Sequence, residues 1–335
     1  MARVLVLGAG SFGLSLALMC SRCGHEVTVW SHREEEAQAL QQTHRQERLL
    51  PGVELPQEIF FTGSIESAAN SDLVIMAVPS FAVRQTAAKL RPFLCDGAIV
   101  VCVAKGLEQE TFYDFSTVIS QEIPGNANVI LSGPSHAEEV CRGEATTVVA
   151  ASKDRNAAIQ VQDWLMNPDF RVYVNDDIIG VELGGALKNI IAVAAGIADG
   201  VGLGDNAKAA LMPRGITEIA RLGVAMGGHQ ETFAGLSGIG DLIVTCTSRH
   251  SRNRRFGVLV GQGVPVQEAL EQVGMVVEGY SCTKAAYQLA QKMKVDMPIT
   301  SQTYQVLYEG KQTRQALYEL MVRPKKDERE STWVV

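Results

Sequence analysis

Gly8-Ala9-Gly10-Ser11-Phe12-Gly13 lies between a β-branched apolar run, Arg3–Leu7, and a stretch of helical periodicity, Ser11–Arg22. No other feature constrains the fold so strongly. Gly8 permits a tight turn, Gly10 lets a pyrophosphate approach the backbone, and Gly13 lets helix and strand pack closely. The N-terminus of the helix then presents unpaired N–H groups and a positive dipole end to phosphates. Glycines at this spacing arise by chance, but in a strand–turn–helix setting they indicate dinucleotide binding.

The pattern continues through the first half of the chain. Leu73–Val78, Ala98–Ala104 and Asn128–Leu131, like Glu26–Trp30, read as buried strands, and Glu34–Leu50 and Phe81–Leu94 read as helices. Strand–helix alternation predicts a parallel, doubly wound sheet of Rossmann type. Thr146–Ala151 and Arg171–Val174 read as further strands at its edge. After Asn175 the strand signals nearly vanish. Ile178–Asp199, Asn206–Met226, Gln230–Ala234, Arg254–Gln262, Val266–Gln272, Thr283–Lys292, Ile299–Tyr308 and Thr313–Met321 read as helices. The expected organisation is an α/β domain over 1–178 and an all-α domain over 179–335, packed tightly because no low-complexity linker separates them. The charged tail Arg323–Glu330 reads as a solvated end.

Composition excludes several classes. The chain has 335 residues, enough for two domains with large cores, and a net charge of -7. Whole-surface attraction to nucleic acid or anionic lipid is therefore not expected, and an anionic ligand needs a local basic cluster. The seven cysteines are scattered and odd in number, which suits reduced thiols in a cytoplasm. Cys20 and Cys23 have redox or zinc spacing, but no second Cys/His pair closes a metal site, so they read as small buried residues. The uncharged run Val4–Cys20 imitates a signal peptide, and its glycine spacing argues against one. The apolar stretch Ile178–Ala198 is interrupted by Glu182, Lys188 and Asn189, which argues against a membrane span.

The second strand ends at Trp30-Ser31-His32-Arg33, where an NAD site usually has a carboxylate for the ribose hydroxyls. None occurs before Glu34. Arg33 is placed to pair with a 2′-phosphate, which favours NADPH; the alternative is a solvated residue at a helix start. Lys105-Gly106-Leu107-Glu108 and Ser132-Gly133-Pro134-Ser135 each follow a strand, at the carboxyl edge where open α/β sheets hold their ligands. Lys188 lies in an apolar helix, where a lysine is costly unless paired, functional or able to snorkel to solvent. Gly238-Ile239-Gly240-Asp241-Leu242 precedes Arg249-His250-Ser251-Arg252-Asn253-Arg254-Arg255. Its four arginines read as a local anion site, with Ser251, Arg252 and Asn253 offering a hydroxyl, a fork and an amide to a phosphate.

Taken together, the sequence resembles bacterial NAD(P)-dependent glycerol-3-phosphate dehydrogenases. The motifs are Gly8–Gly13, Val78-Pro79-Ser80, Lys105–Glu108, Ser132–Ser135, Leu183–Ile190, Gly238–Cys246, Ser251–Gly257, Val276–Tyr280 and Met297–Thr300, in order along nearly the whole chain. The resemblance implies a cofactor domain followed by a helical substrate domain like the C-terminal domain of 6-phosphogluconate dehydrogenase, with the active site between them. It implies NADP(H) or NAD(H) as cofactor and reversible reduction of dihydroxyacetone phosphate to sn-glycerol 3-phosphate for phospholipid synthesis. It further implies a homodimer. Ser11, Phe12, His32, Arg33, Ala137, Val276 and Glu278 carry over as cofactor contacts, beside the glycines. Lys188 becomes the general acid/base. Lys105, Gly133, Ser135, Asp241, Ser251, Arg252 and Asn253 become substrate contacts, with Lys105 and Arg252 also near the cofactor, and Asn189 and Thr245 complete the pocket. His136 stands where an aromatic residue is common in the family, which leaves its side chain without an assigned role.

In the expected reaction the Lys188 ammonium stabilises charge on the C2 oxygen and donates its proton. Burial and repulsion from Lys105 lower its pKa, and Asp241 and Asn189 hold it in line. A related dehydrogenase of phosphogluconate or hydroxyacyl substrates, or a non-catalytic NAD(P)H sensor, would lack the Ser251–Arg255 cluster or the converging lysines.

Overall fold

The computed structural model describes residues 1–325, 327 and 328, so part of the expected solvated tail lies outside the described residues. Eight strands form one sheet: β1 (Arg3–Leu7), β2 (Glu26–Trp30), β3 (Phe60–Thr62), β4 (Leu73–Met76), β5 (Ile99–Cys102), β6 (Asn128–Ser132), β7 (Thr146–Ala151) and β8 (Phe170–Asn175). Their order is β3-β2-β1-β4-β5-β6-β7-β8. Every residue of β4 and β5 is buried. Continuous apolar runs of this kind suit strands covered on both faces.

The alternation predicts a parallel sheet, and the observed sheet departs from this at one edge. β7 runs antiparallel to β6, and β8 runs parallel to β7. Antiparallel neighbours need no long crossover, and the link between β6 and β7 holds only one short helix. The strand β3 was not expected; it has three residues and sits at the edge.

The helices of this half are α1 (Ser11–Arg22), α2 (Glu34–Thr43), α3 (Val83–Leu90), α4 (Phe115–Glu122), α5 (Ala137–Arg142) and α6 (Arg155–Leu165). α2 stops well before the expected Leu50, because His44 takes a left-handed conformation at φ 49°. α4, α5 and α6 were not expected. Two of them start at capping carboxylates: Asp114 accepts from Thr117 N, and Asp154 from Asn156 N and Ala157 N.

The second half contains α7 (Ile178–Val201), α8 (Asp205–Ala225), α9 (Asp241–Thr247), α10 (Arg252–Gly261), α11 (Val266–Val273), α12 (Glu278–Met293), α13 (Pro298–Tyr308) and α14 (Thr313–Met321), with no strand among the described residues. α9 was not expected, and Leu236–Gly240 leads into it as a wide turn of helix. α7 is long and apolar enough to cross a membrane, but 89% of that window is buried inside the protein. Its start belongs to the sheet's core, where Ile178 and Val181 join Val74, Val100 and Ile130. Its later turns anchor the helical core through Leu187, Ile190 and Ile191.

α7 and α10 touch backbone to backbone. A Cβ at Gly196 would stand 2.1 Å from the Arg254 carbonyl oxygen, and one at Gly257 would stand 2.2 Å from that of Val193. Two opposed glycines therefore allow a spacing that side chains would forbid. The seam lies in the last third of α7, and the Asn253–Asn189 hydrogen bond sets the first turn of α10 beside its middle.

Candidate active site

The carboxyl edge of the sheet meets the helical half around Asp241, which is 1% exposed. β5 leads to Lys105, α7 carries Lys188, and α9 begins at Asp241. Lys188 Nζ lies 2.5 Å from Asp241 Oδ1 and 2.6 Å from Thr245 Oγ1. Lys105 Nζ lies 2.7 Å from Asp241 Oδ2 and 3.1 Å from the Gly133 carbonyl. One carboxylate thus bridges two lysines. The Thr245 hydroxyl donates to the Asp241 carbonyl at 2.6 Å, so its oxygen accepts from Lys188.

Burial pushes the Lys188 amine down to about 8, the pull of Asp241 works upward, and repulsion from Lys105 works downward again. For Asp241, burial works to raise the pKa, but the two lysines win and hold it below the ordinary carboxylate range. With two donors already assigned, an ammonium on Lys188 keeps one N–H for a ligand.

Asn189 does not hold Lys188, contrary to expectation. Its Oδ1 accepts from Asn253 Nδ2 at 2.8 Å, and Asn253 Oδ1 accepts from Gly279 N at 2.9 Å. Thr245 supplies the second grip on the lysine instead. The basic segment also divides. Arg254 is committed to Asp199, with nitrogens 2.8 and 2.7 Å from Oδ2, and Lys208 binds the same carboxylate at 2.7 Å. Arg249 and Arg255 are exposed. Arg252 alone is largely covered and forms no ion pair among the described residues, and burial holds its pKa below the usual arginine value. Glu278 and Glu138 pull the other way without forming an ion pair with it, and a covered guanidinium without an ion pair is suited to an anionic ligand. Beside it, buried Ser251 caps α10, accepting from Arg254 N at 3.2 Å.

The glycine turn fits a pyrophosphate. Gly8 has φ +118°, and a Cβ there would stand 2.6 Å from the Ala77 carbonyl oxygen. A Cβ at Gly13 would stand 2.2 Å from the Gly8 carbonyl oxygen, whereas at Gly10 nothing lies within 4 Å. The turn is closed where helix meets strand and open where a ligand approaches. Ser11 and Phe12 begin α1, and Ala137 is tied to it because its carbonyl accepts from Ser15 Oγ at 2.8 Å.

Two expected cofactor contacts are otherwise engaged. Arg33 Nη2 lies 2.8 Å from Glu36 Oε1, while Glu36 Oε2 accepts from Ser31 Oγ at 2.6 Å. Glu36 is thus an acidic group at the end of β2 that a reading of adjacent residues missed. Glu278 accepts from Ser80 N at 3.2 Å and Ser80 Oγ at 2.5 Å, joining α12 to the turn after β4. Burial raises its pKa. His32 and Val276 are exposed, and Ser135 Oγ donates to the Gly133 carbonyl at 3.0 Å.

Comparison with known proteins shows the family. Residues 3–158 match the family described as NAD-dependent glycerol-3-phosphate dehydrogenase N-terminus, and residues 177–318 match its C-terminus. The chain belongs to the NAD-dependent glycerol-3-phosphate dehydrogenase family. A glycerol-3-phosphate dehydrogenase [NAD(P)+] of Moorella thermoacetica is 56% identical over 98% of both chains. One of Desulfitobacterium hafniense is 52% identical over 100% of this chain and 95% of its own. Among solved structures, the glycerol-3-phosphate dehydrogenase of Coxiella burnetii superposes with a TM-score of 0.92 at 38% identity, covering 96% of this chain and 99% of that one. D-Mandelate dehydrogenase shares the fold alone, at a TM-score of 0.62 and 12% identity. The Lys188–Asp241–Lys105 cluster therefore sits in a glycerol-3-phosphate dehydrogenase framework.

Proposed function

We propose that this chain is a glycerol-3-phosphate dehydrogenase that reversibly reduces dihydroxyacetone phosphate to sn-glycerol 3-phosphate with NAD(P)H. One observation carries the reading: the Asn189–Asn253 hydrogen bond brings together their chain neighbours, a covered lysine with one donor direction left and a largely covered arginine with no ion pair among the described residues. The first suits a carbonyl oxygen and the second a phosphate. Turnover of dihydroxyacetone phosphate with NADPH or NADH by the purified chain tests it, and no turnover with either refutes it.

Gly8, Gly10, Gly13, Ser11, Phe12, His32, Arg33, Ala137, Val276 and Glu278 are assigned to the dinucleotide, which when bound supplies the hydride. Arg252, Ser251 and Asn253 hold the substrate phosphate, so binding energy far from the reacting carbon orients the carbonyl. Gly133 and Ser135 line the opposite wall, with Asn189 positioning Asn253. Lys188 donates its third N–H to the C2 oxygen and transfers that proton as the alcohol forms. Two lysines against one carboxylate leave one net positive charge, matched to the developing oxyanion. Lys105 keeps Asp241 ionised while lowering the pKa of Lys188.

Two predictions arise here. Reduction needs Lys188 protonated, so kcat/KM for dihydroxyacetone phosphate should be level below about 8 and fall as pH rises through it. Oxidation should show the opposite limb. Because Asp241 works to raise the Lys188 pKa, Asp241→Asn should move whatever activity remains toward lower pH. A reduction profile level to pH 10 or so would contradict the assignment of Lys188 as proton donor.

The second concerns cofactor choice. We assign NADPH as the preferred cofactor, on Arg33, which must leave Glu36 to meet a 2′-phosphate. Arg33→Asp should lower the NADPH/NADH ratio of kcat/KM by about tenfold, as one exposed charge-assisted contact allows. Glu36→Gln should raise it by freeing the guanidinium. Unchanged ratios in both variants would remove Arg33 from the recognition of the 2′-phosphate. A domain division near residue 178, a homodimer, a cytoplasmic location and supply of glycerol phosphate for phospholipids complete the proposal.

A further inference from the structure

Three buried side-chain atoms have no hydrogen-bond partner among the described residues: His44 Nδ1, Ser132 Oγ and His136 Nε2. A buried polar atom left unpaired costs stability, so each calls for an explanation. His44 lies at the end of α2, edge-on to Phe61 and away from the site. The other two flank the Gly133–Ser135 turn. Ser132 Oγ is covered by α7, since a Cβ on Gly185 would stand 2.5 Å from it.

His136 is different. It lies between Ser135 and Ala137, which are assigned to substrate and cofactor. Its ring stands 6.2 Å from that of His250, which directly precedes Ser251. It therefore links the turn after β6 to the turn before α10, the two walls of the proposed substrate pocket. Burial, then the charge of Lys188, hold its imidazole below the ordinary range, against smaller opposite effects of Glu139, Glu138 and Asp241. A neutral imidazole offers one donor and one acceptor nitrogen and no charge.

A three-carbon hydroxyketone phosphate has three polar parts. The phosphate falls to Arg252 and the carbonyl oxygen to Lys188. The remaining part is a neutral hydroxyl, whose best partner is a neutral group that can donate or accept. We propose that His136 is a specificity-determining residue whose Nε2 hydrogen-bonds the free hydroxyl of the bound triose phosphate. This rests on the function proposed above.

The test compares dihydroxyacetone phosphate with hydroxyacetone phosphate, which keeps carbonyl and phosphate but has a methyl group in place of the hydroxyl. The unsubstituted chain, His136→Phe and His136→Gln are assayed with both substrates. Phenylalanine keeps an aromatic ring without a polar atom, and glutamine restores a donor and an acceptor. In His136→Phe the ratio of kcat/KM values, hydroxylated over deoxygenated, should fall by roughly 3- to 12-fold, the range for one neutral hydrogen bond. In His136→Gln it should stay near that of the unsubstituted chain. An unchanged ratio in His136→Phe, including equal losses on both substrates, overturns the proposal and leaves His136 a packing role. Failure of the unsubstituted chain to reduce dihydroxyacetone phosphate would instead refute the underlying function, and this proposal with it.

Discussion

Lys188→Ala is expected to lower kcat for reduction of dihydroxyacetone phosphate by about 10²–10⁴, the usual loss when a general acid is removed. Cofactor affinity should change little, because no dinucleotide contact is assigned to this side chain. The variant should also fold. Asp241 keeps Lys105 at 2.7 Å, so truncating Lys188 does not strand a buried carboxylate. Thr245 keeps its bond to the Asp241 carbonyl. The measurement is kcat at saturating substrate, together with NADPH binding by fluorescence. Near-normal kcat in a folded variant would remove Lys188 from the chemistry. Asp241→Ala makes a poor substitute, since it would leave two lysines facing each other in a covered site.

Arg252→Lys should weaken kcat/KM by roughly 10- to 150-fold although the charge is kept, as for a lost charge-assisted hydrogen bond. A guanidinium presents parallel donors to phosphate oxygens, whereas an ammonium is a point charge on a flexible stem. The segment contains no substitute: Arg254 is held by Asp199, and Arg249 and Arg255 are exposed. With dihydroxyacetone, which has no phosphate, the loss should be much smaller. Equal proportional losses on both substrates would assign Arg252 to the cofactor or the fold. NADPH affinity is measured alongside, because Arg252 is also assigned a place near the cofactor.

Much of this was legible in the sequence because local rules governed it. Gly8, Gly10 and Gly13 each have the surroundings that their spacing implies: two are packed against backbone and the middle one is open. β1, β2, β7, α1 and α14 have the expected bounds, since periodicity and flanking residues agree there. The omissions have physical causes. α4 and α5 have only 8 and 6 residues, too few for periodicity to stand out, although Asp114 marks the start of the first. The antiparallel turn of the sheet at β7 depends on pairing between strands, which no single strand encodes. Within the site, Lys188 stood out as a charge in an apolar helix, and the resemblance supplied Asp241 as the group that holds it. The bridging of both lysines by that one carboxylate, the grip of Thr245 and the loss of Arg254 to Asp199 needed the third dimension. Glu36 escaped notice because it follows β2 by several residues and returns to Ser31 through the first turn of α2.

The glycine seam between α7 and α10 has a consequence for which substrates fit. One helix carries the proposed proton donor and the other the proposed phosphate anchor. Where backbones touch, no side chain can repack to let the helices drift apart, and protein interiors yield little to compression. The seam therefore works as a calliper, holding the two jaws of the pocket at a span fixed by main-chain contact. A ligand is gauged by the length between its carbonyl and its phosphate as well as by its groups. A homologue one carbon longer meets a jaw that cannot open without separating Gly196 from Gly257.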